Sequence, residues 1–361
     1  MNATATSDRP ASETREPATR EPATRELASP TARELLRDAV RSAVRAPSSH
    51  NTQPWLFRLV GDDTLELYAD RARALPVVDP SDRELAISCG AALFHVRCAL
   101  RAAGRAGEVT LLPDPDDPDL LARVRPGAPH VPSTADRVLA AAIPRRHTNR
   151  LAYEDRALAP HVLALLLASA AAEGAWLVPV ETPARRAVLA ALTARADRTQ
   201  DADPSFRREL ASWMRAGDGA RADGMPGWAL GIPDVLSRLA PHVVAVTDLG
   251  PALAARDRGR VERAPTMAVL ATVGDRPRDW LVAGQALARV LLTACAAGVA
   301  ASFMNQPLEV PALRERVAAL LQAADDPNAP GDTAVPQLVL RFGYAPEGRP
   351  TPRRPVDDVL R

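Results

Sequence analysis

The sequence has no lysine: all 45 of its basic residues are arginine, against 44 acidic residues. With 34 prolines and abundant alanine the plain cause is GC-rich coding, so an arginine carries functional weight only inside a patterned segment. A formal net charge of +1 leaves no excess positive field to condense onto nucleic acid or an anionic membrane surface. Aromatic residues make up 4% of the chain, which leaves the core to alanine, leucine and valine. Cys89, Cys98 and Cys295 are few and show no C-x-x-C spacing, which argues against a zinc ribbon or a dithiol redox pair and suits reduced, buried thiols. His50, His95, His130, His161 and His242 lie scattered without metal-ligand spacing, so no metal is expected. Neither G-x-G-x-x-G after a strand nor G-x-x-x-x-G-K-S/T occurs, which removes support for Rossmann and P-loop readings. The N-terminus opens on polar residues without an apolar h-region. The longest apolar helical stretch, near Leu281 to Ala301, contains Arg289 and reads as a core helix, so a cytoplasmic location is expected.

What is present suffices for a sizeable core, with 47% hydrophobic and 25% charged residues. The length of 361 residues suggests two units of roughly 150 residues each. Residues 12 to 27 repeat T-R-E-P-A with nothing to bury, so residues 1–29 are expected to form a disordered tail. Structure begins at Pro30-Thr31, a capping position before an apolar helical repeat. A hairpin follows around Gly61-Asp62-Asp63, then a long helix from Asp82 to Ala103, a strand at Glu108 to Leu112 and an acidic Pro-rich loop at Pro113 to Pro118. The second half is expected to contain helices near Thr134 to Ile143, Pro160 to Glu173, Ala184 to Arg195, Pro204 to Arg215, Trp280 to Ala297 and Pro311 to Gln322. Strands are expected at Trp176 to Val180, Thr266 to Val273, Val299 to Met304 and Gln337 to Phe342. Residues 216 to 233 are Gly-rich and read as a flexible loop carrying Met225, Trp228 and Ile232. Each half has a long Ala/Leu-rich helix ending at glycine, Gly104 or Gly298, followed by a strand, which is what a duplicated helix-sheet unit leaves behind.

Three segments carry chemistry. Ala46 to Trp55 reads A-P-S-S-H-N-T-Q-P-W, a loop of short hydroxyl and amide side chains that both donate and accept, stiffened by Pro47 and Pro54. Arg145 to Arg150 reads R-R-H-T-N-R, and R-F-G-Y (Arg341 to Tyr344) precedes R-R-P (Arg353 to Pro355). These segments resemble the nitroreductase superfamily of FMN proteins, and most closely its Acg-like single-chain branch. The usual member is a homodimer with flavin between subunits, one supplying the P-S-S-x-N-x-Q-P-W loop and the other the R-H-S/T-x-K/R segment and the basic C-terminal pair.

The resemblance implies an α+β nitroreductase-like helix-sheet fold in which two similar halves, residues 30–130 and 131–361, are fused as an intramolecular pseudo-dimer, with a lid around residues 196–262. It implies one FMN per chain, because each motif occurs once. Arg146, Arg353 and Arg354 would then hold the phosphate, His147 and Thr148 the ribityl side, and Arg150 the N1 and O2 edge. Pro47, Ser48, Ser49, Asn51 and Gln53 would cover the ring, with Met304, Asn305 and Gln306 near it. The F-M-N-Q-P segment departs from the acidic-glycine pair usual at that position. Flavin carries the chemistry, so no catalytic side chain is expected. The implied activity is an NAD(P)H oxidoreductase of nitroreductase type acting on nitroaromatic, quinone or similar acceptors. The alternative is an FMN storage or sequestration protein whose lid, with Met225 and Trp228 as apolar contacts, limits turnover. A monomer should suffice to hold flavin, and any homodimer would use another surface.

Overall fold

In the computed structural model the chain divides into a short N-terminal unit, Met1–Pro30, and a body, Thr31–Arg361. The structure describes residues 1, 30–215, 221–230, 232, 238–322 and 334–361. Apart from Met1, the tail expected over residues 1–29 lies outside the described residues, as do residues 216–220, 231 and 233 of the expected Gly-rich loop.

The body opens with helix α1 (Ala32–Ala43), started by a capping box. Glu34 N–H donates to Thr31 Oγ1 at 3.2 Å, and Thr31 N–H donates to the Glu34 carboxylate at 2.8 Å. Its Leu35, Leu36, Ala39, Val40 and Ala43 are buried at helical spacing. Strands β1 (Trp55–Val60) and β2 (Thr64–Ala69) form a hairpin turning through Gly61, whose φ of 58° a side chain would resist. Helix α2 (Arg83–Ala102), β3 (Glu108–Leu111) and β4 (Leu120–Arg125) complete an antiparallel sheet of order β1-β2-β4-β3.

Helices α3 (Thr134–Ala142) and α4 (Pro160–Ala171) lead to β5 (Trp176–Pro179). A long excursion follows through α5 (Pro183–Ala202), α6 (Pro204–Ser212), the two-residue strands β6 (Met214–Arg215) and β7 (Met225–Pro226), α7 (Ala240–Val246) and α8 (Gly250–Glu262). Then come β8 (Thr266–Thr272), α9 (Pro277–Ala296), β9 (Ala300–Phe303), α10 (Pro311–Gln322) and β10 (Val335–Gly343). The second sheet is also antiparallel, of order β5-β8-β10-β9. Strand β8 is almost continuously apolar because both faces are covered: Ala268 and Leu270 pack toward α4 and α9, Met267, Val269 and Ala271 toward α5 and α10.

The two sheets repeat one plan. Each places its strands in the order first, second, fourth, third, with the long helix between the second and third. The long helices α2 and α9 pack on each other and carry glycine at the same place, Gly90 and Gly284. A methyl on Gly90 would run into the Leu281 backbone, and one on Gly284 into the Ile87 carbonyl, so the helices meet backbone to backbone. Each helix is then ended by a left-handed glycine, Gly104 at φ 82° and Gly298 at φ 71°.

The differences between the repeats decide where a site can form. Residues 44–54 make a long connection between α1 and β1, whereas residues 172–175 are all that separates α4 from β5. The three-residue turn between β1 and β2 corresponds to residues 180–265 in the second half, which carry α5 to α8. Beyond β10 the chain crosses back to the first sheet. There Phe57 N–H donates to the Val359 carbonyl at 2.7 Å and Arg361 N–H to the Phe57 carbonyl at 2.8 Å, a parallel pairing on the free edge of β1.

Five elements go beyond the sequence reading: β4, α7, α8, β6, which replaces the end of the helix expected to run to Arg215, and β7, inside the expected Gly-rich loop. Strand β4 alternates, with Ala122 and Val124 buried and Arg123 and Arg125 exposed, but its flank of Pro and Asp reads as loop. Helices α7 and α8 fall in a stretch that offered glycines rather than a clean apolar period.

Candidate functional site

The connection after α1 is strained. His50, Asn51 and Gln53 all have positive φ, at 48°, 55° and 54°, a region that asparagine enters readily and histidine and glutamine do not. Such backbone persists only where its surroundings over-determine it, at about 1–3 kcal/mol per residue. The surroundings here are specific. Gln53 N–H donates to Ser48 Oγ at 3.0 Å, Asn51 Nδ2 to the Gly224 carbonyl at 2.9 Å, and Gln53 Nε2 to the Ala222 carbonyl at 2.8 Å. Arg353 donates to Asn51 Oδ1 at 2.9 Å and Arg354 N–H to Gln53 Oε1 at 2.8 Å.

Asn51 and Gln53, expected on a ring edge, are therefore buried and engaged in holding the loop; neither lines the cavity below it. What the loop presents to that cavity is Pro47, Ser48, Ser49 and His50. Ser49 Oγ donates to Glu84 Oε2 at 2.6 Å. Burial holds the His50 imidazole neutral, with its pKa pushed down to about 4, and its Nδ1 has no partner.

The R-R-H-T-N-R segment follows α3 and is fastened by the strap of residues 344–358. Asn149 Nδ2 donates to the Pro346 carbonyl at 2.8 Å, and Gly348 N–H donates to His147 Nε2 at 3.2 Å. The second contact makes Nε2 the acceptor, so His147 Nδ1–H donates to the Arg145 carbonyl at 2.9 Å. Both ring nitrogens of His147 are thus engaged in backbone contacts, and His147, expected on a ligand's polyol side, does not line the cavity. Arg354 is likewise engaged: it donates to the Gln53 carbonyl at 3.1 Å and the Asp358 carbonyl at 2.8 Å, and pairs with Asp70 at 3.6 Å. It clamps the strap instead of facing an anion.

Arg146 and Arg353 differ from it. Arg146 is 6% exposed, donates to the Arg45 carbonyl at 2.9 Å, and has no partner at Nε; Arg353 Nε is also without one. No carboxylate pairs with either guanidinium among the described residues. Burial lowers the Arg146 pKa to about 10. Burial and then the neighbouring charges of Arg146 and Arg45 lower that of Arg353 to about 9. The fully buried His95 faces the same two arginines, which with its burial push its pKa down to about 3, and its Nε2 is unpartnered. Arg353 is half-buried and its Nη1 donates to Asn51, Thr351 and Pro352, but a buried and a half-buried cation with free Nε donors are costly without a counter-charge, and a phosphate ester supplies both charge and acceptors.

Two residues along the chain from Arg146, Thr148 lines a cavity of about 370 Å³, within the ordinary range for small-molecule sites; Arg146, Arg353 and His95 do not themselves line it. One wall is the Pro47–His50 stretch and the α2 face of Glu84, Ile87 and Ser88; opposite stand Thr148, Arg150 and residues 302–306 after β9. Met304, Asn305 and Gln306 all line it. Met304 N–H donates to the Val339 carbonyl at 2.9 Å and Asn305 Oδ1 accepts from Val339 N–H at 3.0 Å, so β10 fixes that segment. Arg150 projects its charge into the cavity, its pKa lowered to about 10 by desolvation and then by Arg260.

The roof is built by the excursion between β5 and β8. Phe206 and Leu210 of α6, Met214, Met225, Ile232, Val244, Leu249 and Leu253 supply apolar surface. Trp228 does not reach the cavity; its ring lies under the Arg349 guanidinium at 5.0 Å. Besides the bonds from Asn51 and Gln53 to Gly224 and Ala222, Glu209 accepts from Val77 and Val78 N–H at 3.0 and 2.9 Å and Asp223 pairs with Arg73 at 2.7 Å, docking the roof on the first half.

Sequence reasoning missed His50, His95, Glu84, Ser88, the roof's polar residues Asp197, Asp201 and Asp257, and Glu309 after β9. His50 occupies the variable position of the loop motif. Glu84, Ile87 and Ser88 carry a one-face helical spacing, and Asp197 and Asp201 are four apart on α5; both signals were readable but had no partner in sequence to give them meaning.

No family model matches the sequence. The chain is 37% identical over 336 residues, 91% of each chain, to a Mycobacterium tuberculosis H37Rv protein named "Putative NAD(P)H nitroreductase Rv3131". It is 33% identical over 335 residues, 91% of this chain and 95% of the other, to the acg protein of the same strain, which carries the same nitroreductase name. Among solved structures, it is similar to the FMN-dependent nitroreductase NfnB from Mycobacterium smegmatis in complex with NADPH. That match has 18% identity and a TM-score of 0.40, over 62% of this chain and 97% of that one.

Proposed function

Because the chain belongs to the Acg-like branch of the nitroreductase superfamily, we propose that it is an FMN-dependent NAD(P)H oxidoreductase holding one flavin per chain. The observation that carries this reading is the pair Arg146 and Arg353, without a carboxylate partner among the described residues, in the segments that also supply or hold the cavity-lining Ser48, Ser49, Thr148 and Arg150. Bound FMN would accept hydride from NAD(P)H and pass electrons to a nitroaromatic, a quinone or a similar small acceptor.

The chain's own residues then divide the work. Arg146 and Arg353 neutralise the phosphate, each charge-assisted bond contributing about 1.5–3 kcal/mol. Ser48, Ser49 and Thr148 offer hydroxyls that donate and accept. Arg150 places a positive charge where a reduced flavin gathers negative charge. Asn51, Gln53 and Arg354 act one layer back, fixing the loop that carries Ser48 and Ser49.

The repeated strand order supports a pseudo-dimer of halves 30–130 and 131–361. The short 172–175 connection supports a single site, since the second half has no room there for a flavin loop. The roof of α5 to α8 favours a second reading, in which residues 196–262 act as a lid that shelters bound flavin and slows turnover. A cytoplasmic location is part of the same proposal.

The experiment is to release and quantify flavin from purified protein, then follow bleaching of bound FMN by NADH and NADPH in stopped flow, with a quinone and a nitroaromatic as reoxidants. Rapid bleaching and reoxidation support the enzyme; stoichiometric FMN with bleaching over minutes supports storage; absence of FMN binding overturns both.

A further inference from the structure

Two oxygen atoms lining the cavity have no hydrogen-bond partner among the described residues, one on the roof and one on the wall after β9, although the Gln306 side chain also hydrogen-bonds Asp197. Asp197 on α5 is 6% exposed and lines the cavity, yet its Oδ2 has no hydrogen-bond partner; the neighbouring Gln306 Oε1 is buried and also without one. The other carboxylates facing this space are accounted for. Asp257 pairs with Arg256 at 2.9 Å and Arg260 at 2.8 Å, and accepts from Gln306 Nε2 at 3.0 Å. Glu309 accepts from Gln200 Nε2 at 2.6 Å, Asp201 from Leu249 N–H, and Glu84 from Ser49 and Arg83. Arg256 and Arg260 are held by Asp257, which leaves Asp197 without an ion pair. A buried carboxylate oxygen beside a buried amide oxygen is a place for N–H donors.

We propose that Asp197 and Gln306 form a subsite for the acceptor or another small ligand, selecting an apolar, planar body that carries a cationic N–H donor group such as an amidinium. This rests on the reading of the cavity as a flavin site and adds the ligand's chemical class. Phe206, Leu210 and Leu253 supply the apolar surface for the ligand's body. The donor group meets Asp197 Oδ2 and Gln306 Oε1, and its charge balances the carboxylate. An anionic group at the same place would face the Asp197 carboxylate, so selection acts by repulsion as well as attraction. The groups facing Asp197 are Asp257 and Arg256 on α8, Asp201 on its own helix, and the Gln306 amide. Burial and then Asp257 raise the Asp197 pKa to about 7, so the subsite gains negative charge as pH rises through neutrality.

The test uses benzamidine, benzamide and benzoate as probes, titrated into apoprotein and FMN-loaded protein by calorimetry, with bound-flavin absorbance as a second readout. The expected order is benzamidine tightest and benzoate weakest. Asp197→Asn should weaken benzamidine at least tenfold while changing benzamide less than threefold. In the unaltered protein benzamidine should bind more tightly at pH 8 than at pH 6, an arm that stands even if the variant fails to fold. Equal affinities for benzamidine and benzoate, or benzamidine binding unchanged in Asp197→Asn, would overturn the proposal. An Asp197→Asn effect on FMN affinity alone would also overturn it, by giving the free acceptors to the flavin. FMN content is measured first: protein that binds no FMN but discriminates the probes refutes the flavin reading and leaves the subsite standing, and the reverse outcome refutes only the subsite.

Discussion

At the scale of single residues, three arginines that look alike in sequence separate by their partners. Arg354 is ion-paired and capped by carbonyls, whereas Arg146 and Arg353 have free Nε donors and no carboxylate. Arg146→Ala and Arg353→Ala should therefore weaken FMN by ten- to a hundredfold or more with little effect on riboflavin, since each removes about 1.5–3 kcal/mol of charge-assisted bonding. Arg354→Ala should instead lower the melting temperature and weaken both ligands alike; parallel calorimetric titrations of the two flavins distinguish these outcomes. Asp197 gives a pH signature. Its folded pKa of about 7 lies above the ordinary carboxylate value, so the folded state binds more protons than the unfolded state between roughly pH 4 and pH 7. Its contribution to stability is full at the acidic end and is lost as pH rises through 7. Asp197→Asn should be more stable than the unaltered protein at pH 8, by at most about 4 kcal/mol, with the gap shrinking toward pH 4, as thermal melts across that range would read. Ser48, Ser49, Thr148 and Arg150, which line the cavity, stand in motifs that the sequence singled out. Asp197, Glu84 and His95 were not legible in it, because a lone titratable residue on a helix acquires meaning only from what the fold sets opposite it.

At the scale of elements, the contact between α2 and α9 depends on Gly90 and Gly284. Alanine is the better helix former by about 1 kcal/mol, so propensity alone favours replacing either glycine. The backbone carbonyl facing each position opposes it: relieving the collision requires the helices to separate, at about 1–3 kcal/mol or more. Gly284→Ala should lower the denaturation midpoint in urea despite its helix propensity, whereas alanine at an exposed helical position such as Arg137 should leave it nearly unchanged. The roof makes the opposite kind of contact, docked on residues 77–78 by the Glu209 carboxylate. Glu209→Ala should speed both flavin release and reduction by NAD(P)H several-fold with little loss of global stability, a pattern that stopped flow and thermal melts would show together. Long helices with glycine stops and the paired strands of both sheets could be read from pattern. β4, α7 and α8 could not, because short elements between Pro, Asp and Gly derive their order from the surfaces that cover them.

At the scale of the whole molecule, the two sheets share one strand order but differ in their connections: the loop of residues 44–54 belongs to one and the excursion carrying α5 to α8 to the other, which favours the proposed single site. Released flavin should approach one per chain and elute with a particle of one chain mass in light scattering; a value near two would contradict the asymmetry. The expectation of paired halves rested on each motif occurring once, and the shared strand order of the two sheets agrees with it. The convergence was not legible, since the strap meets the loop across a sequence separation of 301 residues, Asn51 to Pro352. That separation also sets an order in time. During synthesis β1 emerges about 300 residues before the segment that pairs with its outer edge, and W-L-F-R-L-V is meanwhile an open strand edge of the kind that recruits other chains. Arg58, bound to Glu66 at 2.6 Å, places charge on that strand and tempers the hazard. Deleting residues 356–361 should leave both sheets folded and yet make the protein self-associate as concentration rises: the terminal pairing is a guard on an aggregation-prone edge as much as a fastening for the site.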